Sequence, residues 1–598
     1  MSTAVATTTG AEQVHWNLDD LYSGGQPAAV EADLKRADSM AEEFAAATRG
    51  RVADLDAPAM VAALERMEAI HEIQGRAASY AFLHFVTDMA DAPRGALLQK
   101  VQESLTQTET KTLFFTLEWI ATPDEVAAKL LADPALTGYV HHLESARRYR
   151  PYVLSEPEEK IVVEKSVTAR SAWDRLFDEL TSAVRVKLDG GEKSLEEALA
   201  GLHTSDPEER RKIAQAITDG LRADLRTRRF VLNTVLADKA IDDRLRRFPS
   251  WVAERNLANE ASDQSVRSLV EAVTSRYDIP HRYYALKKKL LGLETFHDWD
   301  RDAPYGAAEP EVSWSDARDT VLEAYGSFSP RLAELAREFF DKRWIDAALA
   351  PNKQGGAFAH PTVPSAHPYV LLNFTGRRRD ILVMAHELGH GVHQSLARKQ
   401  TAFNANTPLT TAETASIFGE TVTFSRLLEQ EQDPARRLSL LVGRINGATA
   451  TIFRQVAMNR FEEAIHTHRR DIGELSEEDL NGHWLKSQRD MLGPAVEVTD
   501  NYGIWWSYVH HFIAVPGYVY AYAFGNLLAL AIHAKAVEEG PSFAPRYFQL
   551  LESGGSETPE VLTGRVGVDL GDPSFWNRGL DSLAALVDEA EELSRQVN

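Results

Sequence analysis

No cysteine occurs among the 598 residues, which excludes disulfides and thiolate chemistry and leaves His, Asp and Glu as the strong side-chain metal ligands. No segment of the sequence is expected to span a membrane. Basic residues are scarce beside acidic ones: 65 Lys and Arg face 88 Asp and Glu, a formal net charge of -23. A field of that sign repels phosphate backbones and anionic bilayers, so neither nucleic acid nor membrane is expected as a partner. The opening stretch MSTAVATTTGAEQ lacks the basic and apolar regions of a signal peptide. Residues 1–13 are therefore expected to be a disordered tail, and the protein is expected in the cytoplasm.

What is present is a long chain with 44% hydrophobic residues, enough for two or more lobes. Apolar residues recur at three- and four-residue intervals over roughly 27–49, 57–90, 92–120, 124–132 and 155–182, which predicts helices. The stretch 184–202 differs. Val184, Val186 and Leu188 alternate ahead of Asp189-Gly190, predicting a short strand and turn, followed by a helix capped by Ser194. It is the best candidate for a boundary between a helical domain over 14–183 and a second domain over 184–598. Helices are expected again from 207 to 288 and from 312 to 341. Asp298, Asp300 and Asp302 mimic the start of a calcium loop, but Ala303 stands where the sharp turn needs Gly.

Between Arg343 and Gly376, proline, glycine and short apolar alternations predict a small sheet. Strands are expected near 343–349 and at 369–374, with a turn at Gly355-Gly356. An edge strand there could hold an extended peptide by main-chain hydrogen bonds.

The segment Asp380–Gln394, DILVMAHELGHGVHQ, predicts a buried helix with Asp380 as its N-cap. His386 and His390, four residues apart, share one face and can converge on one zinc ion. Glu387 beside them is placed to take a proton from activated water. His393 lies about 10 Å along the axis from His386, too far to share that ion. The metzincin spacing is also excluded, because Leu396 stands where that pattern needs His. A third ligand is expected from Thr411–Glu420, where Glu413 and Glu420 fall on one helix face. Glu413, nearer the helix start, is the expected ligand, and Glu420 is expected to support a ligand imidazole or the water. Farther on, NYGIWWSYVHHFIAVPGYVYAYAFG packs His510, His511, Tyr518, Tyr520 and Tyr522 into thirteen residues. Neutral Tyr hydroxyls or a His there could donate to a developing oxyanion.

HELGHGVH at 386–393, AETASIFGE at 412–420, the GGAFAHPTVPSAHPYVLLNFTG before them and HHFIAVPGYVYAYAFG at 510–525 together resemble the thimet-oligopeptidase-like zinc metallopeptidases, and among them the oligoendopeptidase F group. The likeness runs from WNLDDLY near the start to FWNRGL near the end. It implies a mainly α fold, a two-lobed helical ellipsoid with a deep substrate channel and a small sheet beside the zinc-binding helix. It implies one Zn2+ per chain on His386, His390 and Glu413, with Glu387 as general base and acid and Glu420 in support. His511 and Tyr520 are implied as transition-state donors, with Tyr518 and Tyr522 as alternatives for that tyrosine. Tyr518, Tyr522, Gly355 and Gly356 are also candidate substrate contacts. The expected activity is cleavage of short unstructured oligopeptides. A zinc carboxypeptidase of related fold and a non-catalytic peptide-binding protein with a structural metal are the alternatives.

Overall fold

The computed structural model describes residues 9–25, 27–166, 168–306 and 311–597. Of the expected tail, residues 1–8 lie outside the described residues. Residues 9–13 are held in place, against expectation: Ala11 is buried, the Glu12 carboxylate accepts from the backbone N–H groups of Thr9 and Gly10, and the Thr9 carbonyl accepts from Trp314 N at 2.8 Å. Backbone groups that find such partners no longer need water, which is what fixes the segment.

The chain forms two compact units, each assembled from three stretches. The first comprises residues 1–150, 309–427 and 535–568, and the second residues 151–308, 428–534 and 569–598. The first unit opens with three mutually packed helices, Pro27–Thr48, Ala57–Val86 and Ala92–Ala121. Asp56 and Asp91 cap the second and third, each followed by a proline in the first turn. Their apolar stripes meet in a core of Phe44, Leu64, Met67, Ile70, Phe115 and Trp119. Each such buried side chain contributes about 1.5–3 kcal/mol. The indole of Trp119 donates to the Leu143 carbonyl at 2.8 Å, so its one polar group is satisfied.

The second unit is also helical, with Pro207–Ala223, Leu225–Arg246, Arg454–Asp471, Glu477–Leu492 and Pro573–Val597 among its longer helices. Its hairpin pairs β1 (Arg185–Leu188), the expected strand, with β2 (Gly191–Ser194), which the sequence reading did not include, and Ser194 caps the next helix as expected, in a capping box with Glu197. The hairpin lies inside this unit. Asp298 accepts from Thr499 and Asp300 pairs with the buried Arg210, so both are spent on structure. No helix among the described residues is long and apolar enough to cross a membrane.

Back in the first unit lies a small mixed sheet, β3 (Ile345–Asp346), β4 (Phe358–His360) and β5 (Tyr369–Leu371), in the order β3-β5-β4. β3 runs parallel and β4 antiparallel to β5. Two of these strands match expectation, though shorter than predicted. β4 does not: three residues between a Gly-Gly pair and a proline are too few for a readable alternation. The consequence matters for the site, because β5 is the central strand and β4 the edge. The bend at Gly355-Gly356 is present, with Gly356 at φ 78°. Asn373 ties it down by donating to the carbonyls of Gln354 and Gly356.

One buried ion pair pins this sheet. Lys353 Nζ donates to Asp346 Oδ1 at 2.6 Å and to the carbonyls of Ala348 and Leu372, both at 2.8 Å. Removing one partner of such a pair leaves an uncompensated charge, at about 3–5 kcal/mol. Lys353→Met should therefore lower the unfolding midpoint strongly in a denaturant titration, whereas Lys342→Met at the exposed Glu338 pair should leave it within about 0.5 kcal/mol of wild type.

Candidate metal centre and its surroundings

The helix that carries the histidines spans Arg378–Ala397 and starts three residues earlier than an N-cap at Asp380 would give. Asp380 is thus the third helical residue and not the N-cap. It still caps the end: its Oδ2 accepts from Thr375 N at 2.7 Å, Thr375 Oγ1 at 2.8 Å and Arg377 N at 3.1 Å. Carboxylates near a helix start are favoured by the free N–H groups there. Ile381, Met384, Ala385, Leu388 and Val392 form its buried face. Tyr325, itself buried, donates its hydroxyl to the carbonyl of Ala385, the residue before His386.

A second helix, Leu409–Gln430, crosses against this one at Gly389. A Cβ on Gly389 would lie 2.5 Å from the Ala415 carbonyl oxygen and 2.6 Å from Ser416 Cα. Only a glycine lets the two backbones meet this closely. The approach brings Glu413 onto both histidines: its Oε2 is 3.4 Å from His386 Nε2 and 3.4 Å from His390 Nε2. All three potential ligand atoms lie within 4.8 Å of one another. Metal–ligand bonds of roughly 2.0–2.1 Å at tetrahedral angles imply ligand separations of about 3.3 Å, so this donor set fits a zinc ion and leaves a fourth position to be filled.

The other faces of these groups are also partnered. His386 Nδ1 lies 3.2 Å from Glu420 Oε2, which directs Nε2 toward Glu413. Ser416 Oγ donates to Glu413 Oε2 at 2.7 Å. Burial alone would lower the His386 pKa, but the bond to Glu420 and the charges of Glu413 and Glu387 raise it to about 9. Burial would likewise raise Glu413, but the hydrogen bond and charge of His390, the charge of His386 and the Ser416 hydroxyl bring it down to about 2. Three carboxylates around two imidazoles leave an excess of negative charge that a cation would neutralise.

Glu387 is buried, and that burial raises its pKa, as does the charge of Glu413. The two histidines and a hydrogen bond from the Ala359 backbone N–H oppose the rise. Ala359 is the middle residue of β4, so the edge strand that sequence reading missed touches the expected base. His393 stays out of the cluster. It is fully buried, its ring nitrogen is 3.5 Å from Thr407 Oγ1, and burial holds its pKa down to about 4.

In the second unit, His511, Tyr518 and Tyr522 come together. His511 Nε2 and the Tyr522 hydroxyl are 3.0 Å apart, and the His511 and Tyr518 rings are parallel with centroids 6.2 Å apart. Burial and the neighbouring His510 lower the His511 pKa, which favours its neutral form. Tyr520 does not join them, which corrects the first choice among the tyrosines. It is wholly buried, and its hydroxyl accepts from Asn259 Nδ2 at 3.0 Å. The helix beginning at Tyr520 turns about 100° per residue, so Tyr520 and Tyr522 face different ways. His510 faces Asp174 and Asp178 at 3.1 and 3.2 Å.

Sequence reasoning missed Gly389, Tyr325, Ser416 and Ala359. Gly389 could have been found, since a glycine inside a helix costs stability and asks for a packing reason. Ser416, one turn after Glu413, carried a weaker signal of the same kind. Nothing local pointed to Tyr325, 61 residues before His386.

Comparison with known proteins adds to this geometry. A model described as peptidase family M3 matches residues 201–582, and one described as oligopeptidase F matches residues 118–185. The chain is 27% identical over 560 residues to oligopeptidase PepF of Bacillus subtilis, covering 92% of this chain and 83% of that protein. An oligoendopeptidase F homologue of Lactococcus lactis is 22% identical and aligns over 97% of both chains. Among solved structures, one from Chlamydophila abortus superposes with a TM-score of 0.88 at 23% identity, covering 97% of this chain and 98% of that one. Oligoendopeptidase-F from Enterococcus faecium superposes with a TM-score of 0.71 at 21% identity, covering 95% and 98%.

Substitutions at the helix crossing test this arrangement. Gly389→Ala should force the helices apart, cost about 1–3 kcal/mol of stability and drop the metal content of the purified chain. Glu413→Ala should lose stoichiometric metal, and Glu420→Ala should weaken metal affinity by about 10–100-fold. Elemental analysis with a zinc titration reads all three, and a Glu420 variant poorer in metal than the Glu413 variant would exchange their roles.

Proposed function

The chain belongs to peptidase family M3, and from that premise we propose that it is a zinc endopeptidase acting on short, unstructured oligopeptides. Membership carries the coarser statement, a metal-dependent peptidase with oligoendopeptidase relatives. The finer reading rests on one observation: Glu413 Oε2 stands 3.4 Å from the Nε2 atoms of both His386 and His390 while the buried Glu387 sits beside them. A zinc ion held by those three residues would polarise the scissile carbonyl and make water a stronger nucleophile near neutral pH.

The remaining steps belong to the chain's own groups. Glu387 takes the proton from the attacking water and delivers it to the departing amine nitrogen. Burial raises the proton affinity of its carboxylate and so suits it to both transfers. The Ala359 N–H holds that carboxylate in place. His386 stays oriented through its Nδ1 contact with Glu420. We assign hydrogen-bond donation to the substrate to His511 with Tyr518 and Tyr522, and assign no such part to Tyr520, whose hydroxyl is already engaged. Gly355 and Gly356 remain candidate backbone contacts, since a Cβ at either would meet open space. A cytoplasmic location is part of the same proposal.

Glu387→Gln should keep wild-type zinc content and lose about 10²–10⁴-fold in turnover of a quenched oligopeptide. Product mapping by mass spectrometry on a peptide mixture, with and without chelator, should find internal cleavages that disappear on chelation. Release of single C-terminal residues would favour a carboxypeptidase, and no cleavage at full zinc occupancy would favour a binding protein. Undiminished turnover by the Gln variant would remove Glu387 from the mechanism.

A further inference from the structure

Between His511 and Tyr518 the chain turns at Pro516-Gly517, with Gly517 at φ 77°. A Cβ on Gly517 would lie 3.3 Å from the Trp251 ring and 3.4 Å from Val252, so the turn is seated directly on residues 251–255. Beneath it stands Glu462, on the helix Arg454–Asp471, with no exposed surface. Its Oε1 accepts the Gly517 N–H at 2.7 Å, and Oε2 has no hydrogen-bond partner among the described residues. Arg255 Nε, from the wall on which the turn rests, is likewise buried without such a partner. One turn along the same helix, His466 stacks on Trp251 with ring centroids 4.8 Å apart. The start of the segment is held as well, by Arg170 donating to the Ala514 carbonyl at 2.7 Å.

A fully buried carboxyl is costly to keep and is not needed to fill space, which Met or Gln would do as well. Burial pushes this one up to about 8, against the pull of the Gly517 amide and Arg255. What the carboxyl offers that an apolar side chain cannot is an acceptor for the amide at the turn. That amide sits between the two halves of the aromatic group: His511 precedes it by six residues, Tyr518 follows it directly and Tyr522 lies five residues on. A turn free to rotate would move both tyrosines relative to His511.

We propose that Glu462 is a positioning residue for His511, Tyr518 and Tyr522, acting by holding the Gly517 amide so that the parallel His511–Tyr518 rings and the 3.0 Å His511–Tyr522 contact are kept. This rests on the donor role assigned to that group above. Glu462 touches no substrate.

The test compares Glu462→Met and Glu462→Gln, both close to Glu in volume, with His511→Ala in the full-length chain. Hydrogen exchange over 512–522, read by mass spectrometry, is measured beside kcat, KM and zinc content. The Met variant should exchange faster in that segment and lose kcat by about tenfold or more, with KM and zinc content near wild type. The Gln variant, whose amide oxygen can still accept the Gly517 N–H, should keep both protection and kcat. Unchanged protection and kcat in the Met variant would overturn the positioning role, as would equal damage in the Gln variant. Full activity of His511→Ala would overturn the donor reading instead, whatever the Glu462 variants do.

Discussion

The crossing of two helices at Gly389 is the contact on which the candidate site depends. A histidine pair four residues apart is easy to supply on any helix, but it needs a third ligand from elsewhere at about 3.3 Å. A side chain at position 389 would stand 2.5 Å from the Ala415 carbonyl oxygen, so the helix carrying Glu413 could not approach. Tyr325 works toward the same end from the other side. Its hydroxyl reaches the Ala385 carbonyl, and a Cβ on Gly419 would meet that hydroxyl, so the second helix also depends on a glycine where it passes the ring. Two glycines that weaken their helices locally are kept because each allows a backbone approach that no other residue permits.

How much of this was legible in the sequence depends on how local each feature is. The three N-terminal helices, the strand ahead of Asp189-Gly190, the Ser194 cap and the histidine helix were readable because apolar spacing and caps are properties of contiguous residues. His386, His390 and Glu413 were readable for a related reason: helical rise limits which side chains on one helix can meet, and few acids on the next helix had apolar neighbours. The edge strand was not, because three residues cannot display a period. Tyr325 was not, because its role arises from packing between elements far apart in the chain.

The choice among the tyrosines was not legible for a different reason. In YVYAY the three tyrosines stand at every second residue, so spacing alone does not separate Tyr518, Tyr520 and Tyr522, and the family resemblance left all three open. The structure begins a helix at Tyr520, and on a helix residues two apart face different ways. One face goes to the core, where Tyr520 is bonded to Asn259, and the other to His511. Pro516 and Gly517 decide the outcome, since a turn there resets the phase of everything after it. An alternation of three residues flanked by Pro-Gly therefore carries little information about facing until the turn is fixed.

The electrostatics of the two units differ in a way that follows from their chemistry. Around His386 and His390 the carboxylates of Glu387, Glu413 and Glu420 crowd together; the imidazoles favour the charged form of Glu413, but for the buried Glu387 a charge there is costly while no cation is present. An ion bound only by the folded chain repays that cost as RT ln(1 + [L]/Kd), about 4 kcal/mol at a thousandfold excess over Kd. Glu462 in the second unit has no such compensation to expect. Its burial is offset by one backbone amide and the charge of Arg255, and it stays buried by remaining largely protonated near neutral pH, which lets it hold a turn without adding charge to the core.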